Sequence, residues 1–106
     1  MKVSLKDIYY FETIKSSDYC KVVHKEGTGK IHADVKPLYE KVAPYFFQTK
    51  SSTLANLDLV WKVDTRNRIL YFEENIFCTY AQRLGRELKE KLELYNYRSY
   101  RKKANE

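Results

Sequence analysis

No apolar run in this chain approaches the roughly 18 residues that a membrane-spanning helix needs. No signal peptide opens it either, because Lys2, Lys6 and Asp7 interrupt the stretch from Met1 to Phe11 that would have to supply the apolar segment. The two cysteines, Cys20 and Cys78, lie far apart and form no C-x-x-C pair, so the expectation is reduced, partly buried thiols. Together these absences point to a cytosolic protein with no membrane association. Catalytic parts are scarce as well. His24 and His32 sit in alternating, strand-like stretches with no cysteine or carboxylate at metal-ligand spacing, and no glycine-rich phosphate loop occurs. Glu73 and Glu74 are adjacent, so in a strand they would point to opposite faces, a poor start for a carboxylate dyad. No metal, cofactor or enzymatic activity is expected.

What is present fits one domain, since 106 residues would leave a second core too little surface to bury. A 43% hydrophobic content lies well above that of disordered chains. Ten of the aromatics are tyrosines, a residue suited to half-buried strand faces where the ring packs and the hydroxyl reaches water. Twenty Lys and Arg against fourteen Asp and Glu leave a formal net charge of +6, which attracts polyanions without identifying one.

Residues 7–14, DIYYFETI, are aromatic and β-branched with imperfect alternation and read as a strand. KSSD at 15–18 is a loop, and YCKVVHKE at 19–26 completes a hairpin. GTGK at 27–30 reads as a turn before a third strand, KIHADV. A two-turn helix is predicted over 36–43, with Pro37 tolerated in its first turn, Leu38 and Val42 on one face, and a stop near Pro44. After the aromatic Tyr45, Phe46 and Phe47 comes polar QTKSST. Then LANLDLVWKVD places Leu57, Leu59 and Trp61 in strict alternation, as in a strand. DTRNR turns into RILYF, and EEN turns into IFCTY, giving a β-meander. From about Tyr80 the period becomes helical, with Leu84, Leu88, Leu92 and Tyr95 on one face and a Glu87–Lys91 pair in the favourable order. Gly85 weakens its first turn by about 1 kcal/mol relative to alanine. That leucine stripe is too short for a coiled coil, so packing onto the domain is the default. The domain is placed at 1–95, with a basic tail at 96–106.

The order of elements, with Phe46 and Phe47 followed by Ser52 and Asn56, resembles the LytTR family over about Leu5 to Leu92. This is the DNA-binding output domain of AgrA-like and ComE-like response regulators of quorum sensing and bacteriocin production. The resemblance implies a mainly β fold, an elongated stack of small antiparallel sheets with a short helix and a C-terminal helix. It also implies loops, rather than a recognition helix, entering the major groove of double-stranded promoter DNA, with pairs of domains on direct repeats. Since the family has a further strand before DIYYFE, the chain is expected to be cut from a longer protein, with Met1 supplied for expression and a phosphorylatable receiver domain upstream.

Matched position by position, the resemblance assigns DNA contacts to three loops. Asn56 matches the family asparagine, whose amide can donate and accept at a base edge. Arg83 matches the family arginine, suited to a bidentate bond with guanine, and Arg86 follows as a phosphate partner. Lys15, Ser16 and Ser17 supply backbone contacts from the first loop, where Asp18 replaces the histidine of some members. Lys50 and Ser52 complete the set. Gln48, Lys50 and Ser51 stand where Arg, His and Arg or Asn are more usual, and Ala81 where a serine is common, which suggests a different target sequence. Two competing readings stand beside this one. The aromatic strands and leucine helix could bind a protein partner with the charge incidental, or exposed tyrosines could stack on single-stranded RNA.

Overall fold

The structure, a computed structural model, describes residues 4–42 and 46–93. A single 3-10 turn at Leu5–Asp7 leads into strands β1 (Ile8–Thr13), β2 (Tyr19–His24) and β3 (Gly27–His32), followed by helix α1 (Val35–Val42). Strands β4 (Phe46–Lys50) and β5 (Thr53–Asn56) come next, then a 3-10 turn at Leu57–Leu59 and the meander β6 (Lys62–Asp64), β7 (Ile69–Glu73) and β8 (Ile76–Thr79). A last 3-10 turn, Gln82–Leu84, runs straight into helix α2, described over residues 85–93.

The strands form two antiparallel sheets, one of five strands in the order β3-β2-β1-β5-β4 and one of three in the order β6-β7-β8. β1 is central to the larger sheet and is buried on both faces. Its imperfect alternation has a structural cause. Ile8 pairs with His24 and Tyr10 with Val23, so the register shifts across Tyr9, and this bulge turns Tyr9 and Tyr10 into the same core. Ile8 and Phe11 enter the core on the opposite face.

The paired phenylalanines divide in the same way. Phe46 packs with Ile8, Phe11, Val22, Leu54 and Val42 beneath α1, where its ring lies 5.3 Å from that of Phe11. Phe47 faces the other core, with Leu57, Val60, Leu70, Phe72 and the α2 leucines Leu88 and Leu92. The result is three layers: α1, the large sheet, and the small sheet with α2. Phe72 seals the contact between sheets, stacking on Tyr10 at 5.8 Å and meeting Tyr9 at 5.4 Å, while the Tyr9 hydroxyl donates to Glu73.

Three expectations are corrected. The glycine-rich stretch 27–30 is not a turn but the start of β3, with Gly29 opposite Val22. The chain reverses at Lys25 and Glu26, and Gly27 follows at a φ of +144° that a side chain rarely adopts. Polar QTKSST is not a plain loop: Gln48 to Lys50 end β4, Ser51 and Ser52 turn, and β5 starts at Thr53. The alternation of Leu57, Leu59 and Trp61 is not a strand, because Asn56 caps a 3-10 turn at Leu57–Leu59 by accepting from the Asp58 N–H at 3.1 Å. The helix stripe packs inward, as Leu88 and Leu92 are both buried. Tyr95 and the basic tail at 96–106 lie outside the described residues, as does Pro44.

Both cysteines are buried and free. Burial pushes the Cys78 thiol up from 9.0 to about 12, so the core accepts only its neutral form. The unfolded chain therefore releases a proton between pH 9 and 12 that the folded chain keeps. The stability this thiol contributes is full below pH 9 and is lost as pH rises toward 12. Urea titrations at pH 8 and 10.5 should show Cys78→Ala less stable than wild type at pH 8, by about 1–2 kcal/mol for a small core truncation. The gap should narrow at pH 10.5.

Candidate nucleic-acid interface

Three connections from different parts of the chain are tied together at one end of the molecule. The β1–β2 loop, residues 14–18, is held next to the β4–β5 turn because the Thr13 N–H donates to the Ser52 carbonyl at 2.9 Å. The β4–β5 hairpin is in turn tied to the junction between β8 and α2. There the Ala81 N–H donates to the Thr49 carbonyl at 2.9 Å, and the Thr49 hydroxyl donates to the Thr79 carbonyl at 3.0 Å. Thr49 and Thr53 are fully buried polar residues, and each has a partner: the Thr53 hydroxyl donates to the Glu12 carboxylate at 3.2 Å. Such satisfied buried polar bonds fix one geometry, since leaving either group unpartnered would carry its full desolvation penalty.

This scaffold presents cations. Lys15, Ser16 and Ser17 are exposed on the first loop. Ser16 has a φ of +60°, and the Ser17 hydroxyl accepts from the Tyr19 N–H at 3.1 Å, so the loop is shaped by its own side chain. Lys50 donates to the Thr79 hydroxyl at 2.8 Å, which fixes its ammonium over the β8–α2 junction. Lys50, Gln48 and Ser51 line one side of a groove of about 270 Å³, and Arg83 lines the other. Arg83 and Arg86 are exposed, and neither is in an ion pair among the described residues, where the pairs are Lys21 with Glu12 and Lys25 with Asp7. Further along the same end, the exposed Tyr19 ring meets His32 edge-on at 5.2 Å and carries the Lys30 ammonium 5.9 Å from its centre.

A surface of this kind, several loops with exposed arginine and lysine on a hydrogen-bonded base, suits a polyanion that has both a charged backbone and hydrogen-bonding edges. Comparison with known proteins decides the matter. The family model described as the LytTr DNA-binding domain matches residues 1–93. The chain belongs to the LytTr DNA-binding domain family. Among solved structures, it is similar in fold to the LytTr DNA-binding domain of a putative methyl-accepting/DNA response regulator from Bacillus cereus. The TM-score is 0.69 and the identity 18%, with 85% of this chain and 84% of that one covered. No curated protein matches.

Within this LytTr fold Lys15, Ser16, Ser17, Lys50, Ser52 and Arg83 lie on the three tied connections and Arg86 lines the neighbouring groove along α2, whereas Asn56 is separated from them in role. Asn56 is 4% exposed. Its Nδ2 donates to the Ile8 carbonyl at 3.0 Å and its Oδ1 accepts from the Asp58 N–H at 3.1 Å, so the amide that was expected at a base edge is engaged inside the fold. The physical reason is its position at the far end of β5, four residues beyond the turn that faces the groove. Ser51, at the tip of that turn and exposed, holds the place in the loop that Asn56 was expected to fill. The signal that could have found it is the Ser-Ser pair flanked by Lys50 and Thr53, a two-residue turn between strands. Ser52 is half-buried and engaged through its carbonyl, which leaves its hydroxyl 3.4 Å from that of Thr53.

The two placements separate stability from binding. Asn56→Ala should cost about 1–3 kcal/mol in urea unfolding, because it leaves a buried carbonyl and a capped N–H without partners. Arg83→Ala, at an exposed position, should stay within about 0.5 kcal/mol of wild type in the same measurement.

Proposed function

We propose that this LytTr domain is the output module of a bacterial transcriptional response regulator, reading double-stranded promoter DNA through the three joined loops. The observation that carries the reading is Arg83. It is an exposed arginine, in no ion pair among the described residues, on a junction fixed by the Ala81–Thr49 bond, and it lines a groove with Lys50 and Ser51. Arg83 supplies the base contact, since a guanidinium bonds guanine O6 and N7 with two parallel donors. Lys15, Lys50 and Arg86, with the Ser16, Ser17 and Ser52 groups, hold the phosphate backbone and set register. The domain works in the cytoplasm, paired with a second copy on a direct repeat and driven by an upstream receiver domain. The quorum-sensing and bacteriocin regulators are the functional class it fits.

A protein-interaction module is the second reading, and one observation favours it. Trp61 and Phe77 are 47% and 48% exposed on the outer side of the small sheet, where Tyr71 contacts Phe77 and Lys62 lies over both Trp61 and Tyr71. Stacking on single-stranded RNA has less support, because Tyr9, Tyr10 and Tyr80 are turned into the core.

Labelled duplexes carrying a promoter-derived direct repeat, and scrambled controls, distinguish these readings when titrated at two salt concentrations. The repeat should be preferred, and Arg83→Ala should reduce that preference by about 1–3 kcal/mol. Equal binding to both duplexes, abolished by salt and indifferent to Arg83→Ala, would reduce the interface to a basic surface and favour the protein-partner reading.

A further inference from the structure

The β6–β7 turn, residues 65–68, carries two more arginines that none of the three loops includes. Arg66 and Arg68 are exposed, and neither enters an ion pair among the described residues. The nearest acid in sequence is Asp64, and its carboxylate is engaged with the turn itself. Its Oδ1 accepts from the N–H groups of Arg66 and Asn67, both at 3.1 Å, and its Oδ2 accepts from the Asn67 side chain at 2.9 Å. These bonds, those from Asn67 first, hold the Asp64 carboxyl below its usual range, so the clamp persists at neutral pH. The turn is therefore shaped in advance, and Arg68 closes it in the left-handed region at a φ of +56°.

It is also anchored to the reading end. The Tyr80 N–H donates to the Arg68 carbonyl at 3.2 Å, three residues before Arg83. Thr65 of the turn and Arg86 of α2 line one groove of about 930 Å³ between the small sheet and the helix. Further along α2 the same groove is lined by Lys89, Glu90 and Glu93, so the arginine charge stands at the junction end and the helix beyond it is mixed in sign. The Tyr80 tether thus sets the turn that carries Arg66 and Arg68 beside the junction that carries Arg83 and Arg86.

We propose that the β6–β7 turn is a fourth DNA contact, in which Arg66 and Arg68 neutralise backbone phosphates flanking the bases read at Arg83. Phosphate, rather than a base edge, is the ligand because the turn lies to the side of the three-loop groove, and outlying cations position a protein without reading sequence. The contact rests on the DNA-binding reading, so its test has to fail separately from that reading.

The experiment uses the repeat and scrambled duplexes over a salt series, with wild type, Arg83→Ala, a neutral double variant and a lysine double variant. The neutral variant is Arg66→Gln with Arg68→Asn, since asparagine tolerates a positive φ. It should weaken binding to both duplexes by the same factor and make the slope of log affinity against log salt shallower by about 1.8, at about 0.9 per phosphate contact. Arg66→Lys with Arg68→Lys should keep the slope. Arg66→Gln alone, at a position without a special backbone angle, should lower it by about 0.9 and covers the case in which the double variant does not fold. An unchanged slope and affinity, with Arg83→Ala still losing discrimination, overturns the fourth contact and leaves the DNA reading standing. A loss confined to the repeat duplex, with the slope unchanged, overturns the phosphate assignment. A wild type that shows neither preference nor salt dependence overturns both.

Discussion

The central strand, β1, has to satisfy two cores at once, and the rest of the molecule is arranged around that demand. A strand with strict alternation could give each face every second residue. Here the bulge at Tyr9 breaks the alternation and gives two consecutive tyrosines to the side that carries the small sheet. Phe72 can then pack against both rings, so the small sheet is held by aromatic contacts and by the Tyr9–Glu73 bond rather than by strand pairing. Remove that constraint and the β6-β7-β8 unit is left tied to the large sheet only at its rim, through the Thr49 and Lys50 bonds to Thr79 and Ala81. An interface made from loops of both sheets would lose its geometry.

Polar bonds complete at the rim what the aromatics begin in the core. Thr49, Thr53 and Lys50 are hydrophilic residues in a hairpin, yet each is bound to a group on another segment. Hydroxyls are well suited to this role, since one can donate to a carbonyl from a strand packed too closely to admit water. The three loops are therefore tied into one unit. Ordering them on DNA carries a smaller entropic penalty than ordering three independent loops would.

Much of this was legible in the sequence wherever hydrophobic periodicity was the controlling factor. The first hairpin, α1, the last two strands of the meander and the inward stripe of α2 all follow from spacing. What spacing could not reveal was structure built by polar side chains. QTKSST is hydrophilic enough to pass for a loop, but its threonines are buried because their hydroxyls have partners thirty or more residues away, which no local pattern records. Asn56 was misread for a related reason. An asparagine is equally suited to a base edge and to an Ile8 carbonyl, and only the location of the carbonyl decides between them. Leu57, Leu59 and Trp61 alternate like a strand, but the Asn56 cap curls the backbone there into a 3-10 turn. The glycines at 27 and 29 mark a hairpin, but it is the φ of Gly27 alone that requires one of them.

The residues that hold the fold and those that face outward alternate closely along the chain at the interface. Thr49 is buried and Ser51 is exposed; Thr53 is buried while Ser52 lies between; Ala81 is fixed by its backbone and Arg83 is free of ion pairs among the described residues. Since the Ala81 tether uses only its N–H, a serine hydroxyl is not needed to keep the junction in place. The same holds at the first loop. Asp18 is exposed, and the bond from Thr13 to Ser52 that places the loop is made by backbone atoms alone. Side chains at positions 18 and 51 can therefore change without disturbing these tethers, while a change at 48 gives up only the Gln48 amide's bond to the Ser51 carbonyl at 3.4 Å. A LytTr domain can vary such exposed residues as Asp18 and Ser51 and keep its architecture while presenting a different pattern of donors and acceptors to the groove. In this fold, backbone tethers and buried threonines preserve the position of the loops, and the exposed side chains between them are left to set the target.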